Sequence, residues 1–217
     1  MIKLAIFDHD GLMVNSELVV YRALSDIFKQ HNHDFTWEYF TEHIGMSVHE
    51  SLRLFYKDFP LGISFDEFYS LRNSVVSNYL EKDLQLMPGL ISLLKTIKRL
   101  GIKIAISTSG KRDYIKKNLA KFGIGDYFGT IVCIEDVIRG KPYPDLVLKC
   151  LEKTQIQAEH AIMFEDAPHG IEAANKAGVF SIAIPTKGMN LNKFKHAKLI
   201  VPDLKTINAL FTSLKIP

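Results

Sequence analysis

Ile2-Lys3-Leu4-Ala5-Ile6-Phe7-Asp8-His9-Asp10-Gly11 is the stretch that decides the fold. Its first six residues form an apolar run rich in β-formers and predict a short buried strand, which ends on two carboxylates and a glycine. A lone strand is unstable, so the rest of the chain must supply its sheet. That sheet does not follow at once. From Ser16 the period turns helical: Val20, Tyr21, Leu24, Ile27 and Phe28 recur on one face as far as about Gln30. Two capping boxes come next, Ser47-Val48-His49-Glu50 and Ser64-Phe65-Asp66-Glu67. Each sets a hydroxyl and, three residues on, a carboxylate to satisfy free amides at a helix start. Residues 16–84 therefore predict four helices and no strand.

Past that block, strands and helices alternate. Pro88 suits the first turn of a helix ending near Leu100, and Gly101 closes it. Strands are expected at 102–106, 130–133, 161–164, 180–184 and 199–201, with helices at 112–122, 144–154, 168–177 and 204–214 between or after them. This alternation predicts an α/β fold: a Rossmann-like parallel sheet flanked by helices on both faces. The first strand belongs to that sheet, so residues 1–15 and 85–217 are expected to form the core, and residues 16–84 an inserted four-helix cap.

A parallel sheet puts the carboxyl ends of its strands on one edge, where ligands bind. Four such ends carry polar groups. They are Asp8-His9-Asp10-Gly11, Ser107-Thr108-Ser109-Gly110, the loop Gly140-Lys141-Pro142 and Glu165-Asp166. Taken singly, each has a plainer reading. An Asp-x-Asp pair is commonly a solvated loop, and Glu165-Asp166 ahead of Pro168 could balance a helix dipole. Lys141 could be a surface lysine, and Thr108 and Ser109 could cap the next helix. Order and placement strengthen the set. Carboxylates at 8, 10, 165 and 166 would repel one another, and one lysine cannot neutralise them. A divalent cation is the simplest remedy, and all-oxygen ligands favour Mg²⁺. A hydroxyl and a lysine opposite it would suit the oxygens of a phosphoryl group.

At these residues the chain resembles the haloacid dehalogenase superfamily, and within it the β-phosphoglucomutase-like group with a small helical cap. Asp8-His9-Asp10-Gly11, continuing into Asn15-Ser16-Glu17, is similar to the first motif of that family. Thr108, with Ser109 beyond it, matches the second; Lys141-Pro142 the third; Glu165-Asp166 the fourth, followed by a helix with Gly170-Ile171 and Ala173-Ala174. The resemblance implies that Asp8 is the nucleophile and Asp10 the general acid/base. It implies that Thr108, Ser109 and Lys141 hold phosphoryl oxygens. It also implies a Mg²⁺ site at Asp8, Asp10 (by its backbone carbonyl) and Asp166, with Glu165 in support. The expected activity is phosphatase action on a small phosphorylated metabolite, above all a sugar phosphate. A sugar phosphomutase is the alternative.

Departures from the family pattern bear on that choice. His9 stands where an apolar or aromatic residue is usual, and the strand pleat turns it away from Asp8, which favours packing. Val20 replaces a histidine found in the first cap helix of the mutases. Their cap arginine, which grips a second phosphate, has no match in Gly45-Met46-Ser47-Val48-His49; His49 is the residue on offer as a substrate contact.

Composition narrows the remaining classes. With 217 residues, 47% hydrophobic and 24% charged, the chain has the make-up of an ordinary globular protein. A net charge of +3, with no basic stripe, argues against a nucleic-acid partner. Nothing approaches the ~20 apolar residues of a membrane span. Cys133 and Cys150 show no metal-ligand spacing and suit a reducing compartment. A cytoplasmic monomer is expected. A dinucleotide-binding module is disfavoured, because Gly123-x-Gly125 follows a helix instead of a strand. Dehalogenase chemistry would leave Asp10 and a metal unused.

Overall fold

The computed structural model describes residues 1–213. Six parallel strands form one sheet in the order β3-β2-β1-β4-β5-β6. They are β1 (Leu4–Phe7), β2 (Lys103–Ser107), β3 (Thr130–Val132), β4 (Ala161–Glu165), β5 (Phe180–Ala183) and β6 (Leu199–Ile200). The first strand thus lies in the middle, with Leu4 opposite both Lys103 of β2 and Ala161 of β4. All four of its residues are fully buried, as a strand covered on both faces requires.

The faces follow from the period of two. Ala5 and Phe7 of β1, Ile104 and Ile106 of β2, and Ile162 and Phe164 of β4 enter one core layer. Helices α5 (Leu90–Arg99), α6 (Arg112–Lys121) and α9 (Leu204–Thr212) fill it with Leu93, Ile97, Ile115, Ile207 and Phe211. Leu4, Ile6, Ala105 and Met163 point the other way, onto α7 (Asp145–Thr154) and α8 (Pro168–Lys176). Burying each large side chain is worth about 1.5–3 kcal/mol.

Most boundaries of the alternating strands and helices fall within a residue of the sequence reading, and the two ends of that series differ in a further way. Gly89, at φ +94°, is the N-cap of α5, so Pro88 sits ahead of the cap and not in the first turn. Helix α9 ends at Thr212, and residue 214 lies outside the described residues.

The chain divides into two compact units, Met1–Val14 with Leu86–Pro185 and Leu191–Pro217, and Asn15–Gln85 with Thr186–Asn190. In the second, α1 (Ser16–Gln30), α2 (Trp37–Glu42), α3 (Val48–Asp58) and α4 (Phe65–Asp83) surround an aromatic cluster. Phe35 lies 4.8 Å from Phe28 and 5.0 Å from Phe55 between ring centroids. Both capping boxes are formed, at α3 and α4. The pentapeptide 186–190, assigned from sequence to the α/β core, belongs instead to this helical unit. The Trp37 indole N–H donates to the Lys187 carbonyl at 2.8 Å, and Gly188 lies close beneath the same indole. Among the described residues no helix is long and apolar enough to cross a membrane.

Candidate active site

All the strand-end groups predicted from sequence lie in the α/β unit, and the sheet brings most of them together. Asp8 directly follows β1, and its amide donates to the Phe164 carbonyl at 3.1 Å, which extends the ladder one residue past the strand. Its carboxylate is therefore fixed by backbone pairing before any side chain takes part. Glu165 closes β4 and pairs with Ala183, and Asp166 is the next residue. Asp8, Glu165 and Asp166 are all buried, and each offers a carboxylate oxygen within 4.8 Å of the others.

Two glycines make room for this cluster. A Cβ on Gly11 would stand 1.9 Å from Asp166 Oδ2, and one on Gly170 only 1.6 Å from Glu165 Oε1. The glycine in the first turn of α8 thus lets Glu165 fold against the helix backbone.

Lys141, in the loop between β3 and α7, reaches in with a buried side chain. Its ammonium donates to Asp8 Oδ1 at 2.5 Å and to Glu165 Oε1 at 3.2 Å. Burial alone would push its pKa down, yet the adjacent Asp8 and Glu165 charges hold it above the ordinary lysine value. The carboxylates feel the reverse. Burial raises the Asp8 pKa, and the nearby Asp10 charge adds to this against the pull of Lys141. Burial, then the Asp8 charge, pushes Glu165 up to about 8. One lysine does not balance three buried carboxylates. The all-oxygen donor set and its surplus negative charge fit a hard divalent cation.

Asp10 stands apart from that donor set by its side chain. Tyr114 of α6 donates its hydroxyl to Asp10 Oδ1 at 2.9 Å. His9 is buried with its ring edge-on to Tyr114, 5.5 Å between centroids. Its Nδ1 lies 3.4 Å from the same Asp10 oxygen but makes no hydrogen bond. The packing role expected for His9 holds, against a partner that the sequence did not reveal.

Thr108, just past β2, is buried, and its Oγ1 accepts from the Gly110 amide at 3.0 Å. A Cβ on Gly110 would lie 3.2 Å from that oxygen and 3.4 Å from Asp10 Oδ2, so the hydroxyl and this carboxylate share one corner. Ser109 Oγ lies beside Gly140, the residue before Lys141. His49 belongs to the helical unit, where it is exposed and its Nε2 accepts from Arg53 Nε at 2.8 Å.

The buried side chains form a negatively charged cluster with one cation and one hydroxyl, an arrangement able to bind a metal and polarise an anionic substrate. Known proteins are similar to this chain in sequence and in fold. A phosphatase of validoxylamine A 7'-phosphate from Streptomyces hygroscopicus subsp. limoneus is 29% identical over 210 residues, 95% of this chain and 96% of that one. A phosphorylated carbohydrates phosphatase from Thermotoga maritima is 26% identical over 174 residues, 80% of this chain and 81% of its own. The crystal structure of β-phosphoglucomutase from Clostridium difficile superposes with a TM-score of 0.73 at 25% identity, covering all of both chains. The family of haloacid dehalogenase-like hydrolases matches residues 5–184, from inside β1 to the end of β5 and its exit. The chain belongs to the haloacid dehalogenase-like hydrolases.

Proposed function

We propose that the protein is a Mg²⁺-dependent phosphatase that hydrolyses a small phosphomonoester, with sugar phosphates as the preferred class, through an aspartyl-phosphate. The observation that carries this reading is the Asp8 carboxylate, buried against Lys141 and within ligand distance of Glu165 and Asp166. A carboxylate nucleophile divides one hard displacement into two easier ones. Asp8 attacks phosphorus while Asp10 protonates the leaving oxygen. Asp10 then takes a proton from the water that cleaves the aspartyl-phosphate.

Thr108, Ser109 and Lys141 hold the non-reacting phosphoryl oxygens, and the His9 and Asp10 amides are further donors. Asp8, the Asp10 carbonyl and Asp166 are the residues to hold Mg²⁺, with Glu165 behind them. When bound, the ion offsets the negative charge that carboxylates and phosphoryl oxygens bring together. The Thermotoga relative, named for phosphatase action on phosphorylated carbohydrates, supports the substrate class, and the Streptomyces relative, named for validoxylamine A 7'-phosphate, supports a small phosphomonoester. The expected setting is cytoplasmic and the expected form a monomer.

Hydrolysis is favoured over phosphomutase action by two residues of the helical unit. Val20 cannot do the polar work of a histidine, and His49 lacks the fixed fork and permanent charge of arginine. A panel of sugar phosphates assayed with Mg²⁺ for inorganic phosphate tests the proposal. Phosphate release that Asp8→Asn abolishes is the expected result. Isomerisation of β-glucose 1-phosphate with little phosphate released would establish the mutase instead, and turnover by Asp8→Asn would remove the covalent route.

A further inference from the structure

We propose that Tyr114 is a positioning residue for Asp10: it holds one carboxylate oxygen and reserves the other for proton transfer. The proposal rests on the reading of Asp10 as general acid/base and adds a residue to it. The Tyr114 hydroxyl donates to Oδ1 at 2.9 Å. His9 packs edge-on behind the Tyr114 ring, at 5.5 Å and 77°, and its Nδ1 crowds Oδ1 from 3.4 Å. Oδ1 is thus bracketed by two aromatic rings, the buried His9 and the half-buried Tyr114. Oδ2 lies on the other side, towards the corner that Gly110 and the Thr108 hydroxyl occupy.

That asymmetry has a chemical consequence. A carboxyl that must give a proton and later take one works best when the same oxygen does both and its torsion is fixed. Because the phenol O–H donates to Oδ1, that oxygen is an acceptor, and the mobile proton is carried on Oδ2. In the first half-reaction the Oδ2–H bond breaks as the leaving oxygen gains that proton and the P–O bond opens. In the second, Oδ2 takes a proton from water as the water oxygen bonds to phosphorus and the Asp8–phosphoryl bond breaks. Tyr114 touches no reacting atom in either half. It acts through Asp10, and His9 keeps its ring from swinging away. Because His9 fills a place usually held by an apolar or aromatic residue, this support is a property of the present chain.

Tyr114→Phe keeps the ring and its packing on His9 and removes only the donor. The readout is the ratio of kcat/KM for an alkyl phosphate, such as glycerol phosphate, to that for p-nitrophenyl phosphate. The alkyl leaving group needs the acid and the nitrophenolate does not. Tyr114→Phe should lower the ratio about tenfold, part of the ~10²–10⁴-fold that general acid–base catalysis supplies, with the aryl kcat/KM, which is set by the steps up to leaving-group release, and the unfolding midpoint unchanged. Asp10→Asn, measured alongside, should lower the ratio further. If Asp10→Asn shows the split and Tyr114→Phe leaves the ratio at its wild-type value, or slows both substrates equally, the positioning role is wrong and the general acid stands. If Asp10→Asn itself shows no split, the role given to Asp10 falls and the proposal for Tyr114 with it.

Discussion

Gly11 and Asp166 approach so closely that a Cβ on the glycine would stand 1.9 Å from Asp166 Oδ2, and Gly11 holds a φ of +76°. Both facts penalise any side chain. A left-handed conformation costs an L-residue roughly 1–2 kcal/mol, and the overlap would also displace the carboxylate. Gly11→Ala should therefore lower the urea midpoint and weaken protection by Mg²⁺ in thermal melts. An alanine variant with both properties intact would show that Asp166 has freedom the packing denies it.

Without a metal ion the protein should show the cost of the buried carboxylates. Burial, followed by the Asp8 charge, raises Glu165 from 4.5 to about 8. A group whose folded pKa is raised contributes stability below its unfolded value and loses it as pH climbs through the folded one. The metal-free protein should lose stability as pH rises from 4.5 to about 8. Mg²⁺ binds only ionised carboxylates, so it should raise the melting temperature most at the upper end of that window. Melting curves with and without Mg²⁺ at both ends check this, and an equal shift at both would contradict it.

Lys141→Met removes the cation that Asp8 and Glu165 share. Breaking a buried pair from one side typically costs about 3–5 kcal/mol, because charge is left uncompensated. Urea titration at neutral pH should show a loss of that size. Part of it should return in acid, where Asp8 also takes up a proton. A loss independent of pH would point to packing of the lysine stem instead.

Asp203 caps α9, accepting from the Thr206 amide at 2.7 Å and its hydroxyl at 2.8 Å. These bonds favour the ionised form and lower its pKa below 3.8. The stabilisation is present above that value and lost as pH falls through the folded pKa. Asp203→Ala should cost about 1 kcal/mol at neutral pH. Asp203→Asn should cost less and should remove this share of the acid sensitivity, read from urea curves at neutral and acid pH.

How far the sequence could be read depended on which physical rule placed each residue. Asp8, Thr108 and Glu165 were legible because a buried strand announces itself by composition, and parallel pairing puts strand ends on one edge. Lys141 followed by the same logic, one short loop later. Tyr114 was not legible, because its role depends on the rotational phase of α6, which decides that a residue in its first turn meets Asp10. Nor was the move of 186–190 into the helical unit. Its bond to Trp37 uses a backbone carbonyl, which every residue has and no sequence pattern marks. His49 was singled out by its place after Gly45, yet in the structure it pairs with Arg53 one helical turn away.

The central position of β1 also sets an order in time. During synthesis it is made first, but its neighbours begin at residues 103 and 161. At roughly 5–20 residues per second, the nascent strand waits about 5–20 s for its first partner. The helices of 15–85 can gather in that interval, though their unit is incomplete until 186–190 has been made. Through the wait, Leu4–Phe7 is an unpaired apolar edge of the kind that recruits other chains. Asp8, His9 and Asp10 end that edge after four residues, so the carboxylates proposed for catalysis stand where charges that limit pairing between chains are commonly placed.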